Sequence, residues 1–425
     1  IDRIVGTTNS LGAMYAAHQN YAPIVIFASQ NLPSLASGYL PDGRPRYAIH
    51  YHSWQSILTT PWTKWRCEIP TLNLMPPTIQ KAIAIAETEP TGPTYITLRQ
   101  DLMAKRVPEN SVFFTSKSKL QSRLMPDDKS LDVAAKAIVE AENPIIWVVY
   151  MGRHASAVEK LVELAELTAC GVLDGRVFMN FPMDHPLFLG FLFYREKSPL
   201  VENADVLINI EVYYEPPLTP PEDCKVINIA PEAVTLRGMA GGDYGGSYYP
   251  SYVNLTGDTT LILERLTSKI RKMLLYRRES SLIKERRAEI QSLHEETLLT
   301  WRRETEKHLD DFPISPHLIA HELNRLWSDR TIWFDSTLTV RSALYKGIML
   351  KKPGSYFSNP SVHLGPIASA AYGGALAKPD GTVIATVGDG DFIMGNPVSV
   401  LWTCSHHHIP VLYICLLYTS PSPRD

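Results

Sequence analysis

Cysteine is scarce in this chain. Its five residues, Cys67, Cys170, Cys224, Cys404 and Cys415, are scattered, with no Cys-x-x-Cys pair among them. That spacing argues against a disulfide framework or a thiolate zinc site and favours a reducing, cytoplasmic compartment. An excess of one charge is missing too: 41 Lys and Arg against 44 Asp and Glu leave a net charge of −3, with no long basic run. Neither nucleic acid nor an anionic membrane surface is therefore an expected partner. No apolar run reaches transmembrane length, and no basic-then-apolar signal segment opens the chain. No Gly-x-Gly-x-x-Gly follows an apolar strand, which counts against a dinucleotide-dependent oxidoreductase.

What is present is the composition of a soluble globular protein, with 45% hydrophobic and 20% charged residues. At 425 residues, two or three domains are expected. Strand and helix patterns alternate throughout, as they do in open parallel sheets. Pro23 to Ala28 and Pro93 to Leu98 read as strands, the first as one buried on both faces, with a helix over Ile79 to Glu87. Leu11 to Ala17 reads as the start of a helix that follows a Gly6-Thr-Thr-Asn9 turn. A second unit has helices over 133–141 and 157–169 and strands at 144–149, 204–210 and 225–229. Residues 262–310 are strongly charged and helical and read as a solvated connector, and Thr331 to Phe334 opens a third α/β unit.

The segment richest in chemistry lies near the C-terminus. Thr382-Val-Ile-Ala-Thr-Val387 is an apolar strand that runs into Gly388-Asp389-Gly390-Asp391-Phe392. Asn396-Pro397 marks a helix start, and Val411 to Ile414 closes a βαβ unit. Gly-Asp-Gly is a common turn. At the carboxyl end of a parallel strand it is equally a place where backbone N–H groups approach a phosphate and a carboxylate holds a divalent cation. His406-His407-His408 does not read as a metal site, because consecutive helical residues point in different directions. His50 and His52 are weaker candidates for a substrate pocket.

Gly388-Asp389-Gly390 with Phe392 and Asn396, preceded by Leu364-Gly-Pro-Ile-Ala-Ser-Ala-Ala-Tyr-Gly-Gly-Ala375, resembles the cofactor-binding domain of thiamine-diphosphate enzymes. The nearest branch is the acetolactate synthase and benzoylformate decarboxylase-like group. Val5 to Gly12 and Glu89 to Leu98 resemble that family's pyrimidine-binding domain, and Asn180 to Gly190 and Ala204 to Ile208 its central domain. The resemblance implies three successive open parallel-sheet α/β domains: a partial pyrimidine-binding domain (1–108), a linker (109–130), a central domain (131–265), a helical connector (266–312) and a partial diphosphate-binding domain (313–415). Residues 416–425, ending Thr419-Ser-Pro-Ser-Pro-Arg-Asp425, are expected to be a non-native tail, and both ends of the chain look cut.

The resemblance further implies thiamine diphosphate and Mg²⁺ as cofactors and a 2-oxo acid as the small-molecule substrate of a decarboxylase or carboligase. It implies a homodimer or homotetramer with the active site at the subunit interface. Asp389 matches the metal ligand, Gly388, Gly390 and Asp391 the diphosphate loop, and Leu364 with Gly365 the residue that bends the cofactor and its neighbour. The helix N-terminus near Asn396 is expected to favour the diphosphate charge. Three departures stand out. The family's catalytic Glu would lie upstream of Ile1. Its second metal ligand, an Asn, would fall near Leu416, where there is none. Asp391 stands where Ser or Ala is commoner and faces either solvent or the metal. The 425-residue chain by itself is thus expected to be inactive. A non-catalytic homologue with a regulatory or scaffolding role is the alternative.

Overall fold

The computed structural model describes residues 1–30, 54–107, 122–192, 198–212, 220–232, 251–275, 281–361 and 363–417. His50, His52 and most of the Gly- and Tyr-rich stretch before Tyr252 lie outside them. The described strands form three sheets, and every strand pairing within them is parallel. The chain divides into two compact units, Ile1–Arg123 and Leu124–Asp425.

The first unit contains α1 (Arg3–Gln19), β1 (Val25–Gln30), β2 (Trp65–Glu68), α2 (Met75–Glu87), β3 (Thr94–Arg99) and the short α3 (Gln100–Met103), with strand order β1-β3-β2. Gly6-Thr-Thr-Asn9 is not a turn; it lies inside α1. Its hydroxyls bond back to the preceding helical turn, Thr7 to the Arg3 carbonyl at 2.8 Å and Thr8 to that of Val5 at 2.9 Å, so polar residues are accommodated without breaking the helix. Nor is β1 buried on both faces. Among the described residues it is an edge strand, on which Ala28 faces the core and Phe27, on the opposite face, is 38% exposed.

In the second unit, a six-stranded sheet is built from α4 (Asp128–Glu140), β4 (Pro144–Val148), α5 (Ala155–Thr168), β5 (Gly171–Asp174), β6 (Phe188–Phe191), α6 (Pro199–Glu202), β7 (Val206–Ile210), β8 (Lys225–Ala230), β9 (Val253–Thr256) and α7 (Thr259–Leu275). Its order is β6-β5-β4-β7-β8-β9. Every residue of β4 and β7 is buried, as expected of apolar strands covered on both faces. The boundary expected between residues 265 and 266 falls inside α7. That helix buries Ile262, Leu263, Leu266 and Ile270 and packs on α4 and α5, so it is a layer of this domain and not a solvated connector. The connector proper is α8 (Ser281–Lys307).

The third sheet follows, from α9 (Pro316–Arg325), β10 (Thr331–Ser336), α10 (Arg341–Gly347), β11 (Tyr356–Ser358), α11 (Pro366–Ala377), β12 (Thr382–Gly388), α12 (Asp389–Met394), α13 (Pro397–His406) and β13 (Leu412–Leu416). Ser315 caps α9, accepting the Leu318 N–H at 3.1 Å. Strand order is β11-β10-β12-β13. The chain leaves β10 to one side to make β11 and crosses back to the other side to make β12. The loops that follow β10 and β12 therefore diverge, and a crevice opens between the carboxyl ends of these two strands. The six-stranded sheet has the same feature between β4 and β7. The two sheets meet through a bridge between Phe178 and Phe357 and through Arg176, which donates to the Tyr345 carbonyl at 2.7 Å.

Candidate functional site

The crevice of the third sheet holds a cleft of about 170 Å³. Ser336 at the end of β10 with Thr337, Leu338, Thr339 and Val340 after it form one wall, and Gly388, Asp389, Gly390 and Asp391 form the other. Leu364 and Leu416 complete the lining. Five of the six sequence-derived candidates thus line one cleft; the sixth, Gly365, stands directly behind it.

Gly-Asp-Gly is not a turn between strand and helix. Gly388 ends β12 and is also the N-cap of α12, whose first residues are Asp389 and Gly390. The helix N-terminus at the cleft is accordingly that of α12. Asn396, expected to supply it, starts α13 instead, in a left-handed conformation and without a side-chain cap. A Cβ placed on Gly388 or Gly390 would meet nothing within 4 Å, and neither residue has the positive φ that calls for glycine. Neither protein packing nor backbone conformation explains these two glycines, and their N–H groups are open to close approach by a ligand.

Gly365 is a different case. Its φ is +105°, and a Cβ there would lie 2.8 Å from the Gly395 nitrogen. Its N–H donates to Asp391 Oδ1 at 2.7 Å. Asp391, which the sequence leaves between solvent and metal, does not face solvent: it is 3% exposed and ties the Leu364–Gly365 corner to α12. Burial pushes its carboxyl pKa up, opposed by the Gly365 N–H and the nearby Ser336 hydroxyl. Its Oδ2 has no partner at hydrogen-bond geometry. Leu364 is 43% exposed at the cleft, so it is not an ordinary core leucine.

The opposite wall was not singled out by sequence. It rests on Asp335, the fully buried penultimate residue of β10. Asp335 Oδ1 accepts the Thr337 N–H (3.1 Å), the Thr337 hydroxyl (2.7 Å) and the Thr386 hydroxyl (2.8 Å). Arg341 Nε lies 3.6 Å from Oδ2. Behind it, Tyr356 donates to Oδ2 at 3.5 Å and is hydrogen-bonded to the Tyr345 hydroxyl. Burial raises both phenols, Tyr345 to about 12, so both remain neutral donors. Arg176 from the central domain stacks 4.2 Å from the Tyr345 ring and so closes the back of this network. The signal available in the sequence was Asp335-Ser-Thr directly after an apolar strand, a local-turn pattern at a strand's carboxyl end.

For a metal ion the cleft supplies one solvent-accessible carboxylate, Asp389; the second, Asp391, is buried behind it and tied to Gly365. No group of three or more His, Cys, Asp or Glu able to hold an ion occurs among the described residues. Leu416, buried at 8%, sits across the ladder from Gly388, at the position where a second ligand was sought. One carboxylate suffices for Mg²⁺ only when phosphate oxygens complete the shell. The residues present therefore fit a diphosphate directly and a metal only together with it. The three histidines at the end of α13 are exposed and do not converge; His406 stacks on Trp402 at 4.8 Å.

Comparison with known proteins bears on the family and the fold. Residues 339–417 match the family model described as "Thiamine pyrophosphate enzyme, C-terminal TPP binding domain", and residues 131–266 match that of the central domain of the same enzymes. Together these spans make up just over half of the chain. A protein named "Probable acetolactate synthase large subunit" from Methanococcus aeolicus is 25% identical over 439 residues, covering 97% of this chain and 68% of its own length. The benzoylformate decarboxylase of Pseudomonas aeruginosa is 23% identical, with 97% and 72% covered. The crystal structure of benzoylformate decarboxylase from Polynucleobacter necessarius superposes with a TM-score of 0.74 at 20% identity, over 98% of this chain and 73% of that one, a likeness of fold. With its three parallel-sheet domains and its glycine-lined cleft at the switch point of the third sheet, this chain belongs to the thiamine pyrophosphate enzyme family.

Proposed function

We propose that the chain is part of a thiamine-diphosphate- and Mg²⁺-dependent decarboxylase or carboligase that acts on a 2-oxo acid, in the manner of acetolactate synthase. The observation that carries this reading is the pair Gly388 and Gly390, glycines that neither packing nor backbone conformation explains, on either side of a carboxylate at the switch point. In the bound state the N–H groups of the Gly388–Gly390 segment and the exposed hydroxyl of Thr339 would hold the diphosphate. Asp389 ligates Mg²⁺ together with phosphate oxygens. Leu364, exposed at the mouth, sets the bend of the cofactor, and Asp391 fixes Leu364 through Gly365. The thiazolium, when bound, supplies the carbon nucleophile and electron sink that decarboxylation requires.

Exposed apolar side chains on α12 and α13, among them Ile393 (68% exposed), Met394 (66%), Val398 (79%) and Trp402 (63%), support a homodimer or larger assembly. A cytoplasmic location goes with the free, scattered cysteines.

The test is a thermal melt with thiamine diphosphate and Mg²⁺, with NAD as the control, followed by CO₂ release from a panel of 2-oxo acids by the full-length gene product. A rise of several degrees with the diphosphate and none with NAD is expected. No response to the diphosphate would end the proposal. A response without turnover of any 2-oxo acid would favour the regulatory alternative.

A further inference from the structure

At the amino end of the central sheet, remote in the fold from the glycine cleft, lies a second pocket of about 260 Å³. Its walls are apolar: Pro144 and Ile145 at the start of β4, Leu189 of β6, Leu200 of α6, and Ile290 and Leu293 of α8. Set among them is Arg286, only 7% exposed. Its Nε and Nη1 are buried without a hydrogen-bond partner.

No neighbouring group accepts a hydrogen bond from these two nitrogens. Asp205 attracts the guanidinium electrostatically, but its oxygens accept the N–H groups of Glu142 at 2.6 Å and Asn143 at 2.9 Å. Cys170 is fully buried and remains a neutral thiol, because burial raises its pKa. Glu289, one turn along α8, is exposed at the rim, as are Asn143 and Asn203.

A guanidinium stripped of water, with donors left over, is costly to keep. An anion seated against the guanidinium accepts from it and recovers part of that loss, and a carboxylate matches either planar edge of arginine. The apolar walls select what the carboxylate carries. The volume exceeds the ~150 Å³ of a cavity that takes up benzene, so a ring or a short branched chain fits. We propose that this pocket binds a small monocarboxylate with an apolar body, its carboxylate on Arg286 and its body between α8 and the start of β4. Such a ligand is an effector or accessory molecule, because the pocket belongs to a different sheet from the glycine cleft. The inference does not depend on the catalytic reading of that cleft.

Benzoate is the probe, with benzamide as its uncharged isostere, in thermal melts and titration calorimetry on the full chain. Benzoate at ~10 mM should raise the melting temperature by roughly 2 °C, as a millimolar ligand does for a protein of this size. Benzamide should not. Arg286→Met replaces the buried guanidinium, whose Nε and Nη1 lack partners, by an apolar side chain of similar length, so this variant is expected to fold. It should lose the benzoate response. Leu200→Trp, which fills the pocket and leaves Arg286 in place, should lose it too. The proposal is overturned by an absent benzoate response in the wild type, by an equal response to benzamide, or by an undiminished response in both variants, which would place benzoate elsewhere.

Discussion

The six-stranded and the four-stranded sheets of the second unit each have a switch point, between β4 and β7 in one and between β10 and β12 in the other. Topology grants both the same crevice. The central one is filled by the chain itself: Arg153, just beyond β4, pairs with Glu211, just beyond β7, and the Thr259 hydroxyl donates to the other oxygen of Glu211 at 2.5 Å. Asn180 adds to the filling, accepting the Gly152 N–H at 2.7 Å and donating to Asp174 at 2.7 Å. The third sheet places glycines and one half-buried carboxylate at the equivalent position and leaves a cleft. A parallel sheet thus offers a site wherever its strand order reverses, and side-chain volume and charge decide whether the offer is taken up.

The sharpest way to break this contrast is to unplug the central crevice. Arg153→Met leaves Glu211 charged, buried and unpaired, and urea melts should show a loss of about 3–5 kcal/mol. The double variant Arg153→Met, Glu211→Met should recover most of it; recovery of nothing would mean that the pair does not fill the crevice. In the open crevice the same kind of deletion should act on ligand and not on stability. Asp389→Ala should leave the melting temperature of the free protein unchanged and weaken thiamine diphosphate–Mg²⁺ binding about 100-fold, as calorimetry would record.

A pH experiment probes the plug from another side. Burial pushes Asp174 up to about 6, against about 4 in an unfolded chain. Between those values the folded state holds a proton that the unfolded state releases. Stability from this group is therefore complete below pH ~4 and falls as the pH rises to ~6, by on the order of 2 kcal/mol. The difference between wild type and Asp174→Asn, measured by urea melts across that window, should show this slope; a flat difference would remove Asp174 from the account. The smallest effect concerns the glycines. Gly388→Ala should change stability by less than about 1 kcal/mol while weakening diphosphate binding. Gly365→Ala should cost more than that in stability, because its φ of +105° and the Gly395 backbone both oppose a side chain.

Much of this was legible in the sequence because parallel strands buried on both faces are unbroken apolar runs. Pro144 to Val148 and Thr382 to Val387 announce themselves in that way. Gly6 to Asn9 misled because threonine hydroxyls suit a turn and a back-bonded helix equally well, and only the carbonyls within reach decide between them. The charged tract after residue 262 misled for another reason: α7 carries its apolar stripe among charges, and the faces of α4 and α5 that cover it are far away in sequence. At the site, Gly388, Asp389 and Gly390 were visible as a local motif. Asp335 was not, since its role depends on Thr386, Tyr356 and Arg341, which come from different elements.

By itself the sequence determined the alternation of strands and helices and the parallel sheets, and it singled out the Gly388–Asp391 segment, because each depends on residues close together along the chain. Tertiary structure decided which crevice is filled and which is open, that Asp391 turns inward to hold Gly365, and that Arg286 is buried without a partner. Those outcomes depend on what the fold brings to each side chain from distant segments, and charge, burial and hydrogen bonding have no value until that neighbour is in place.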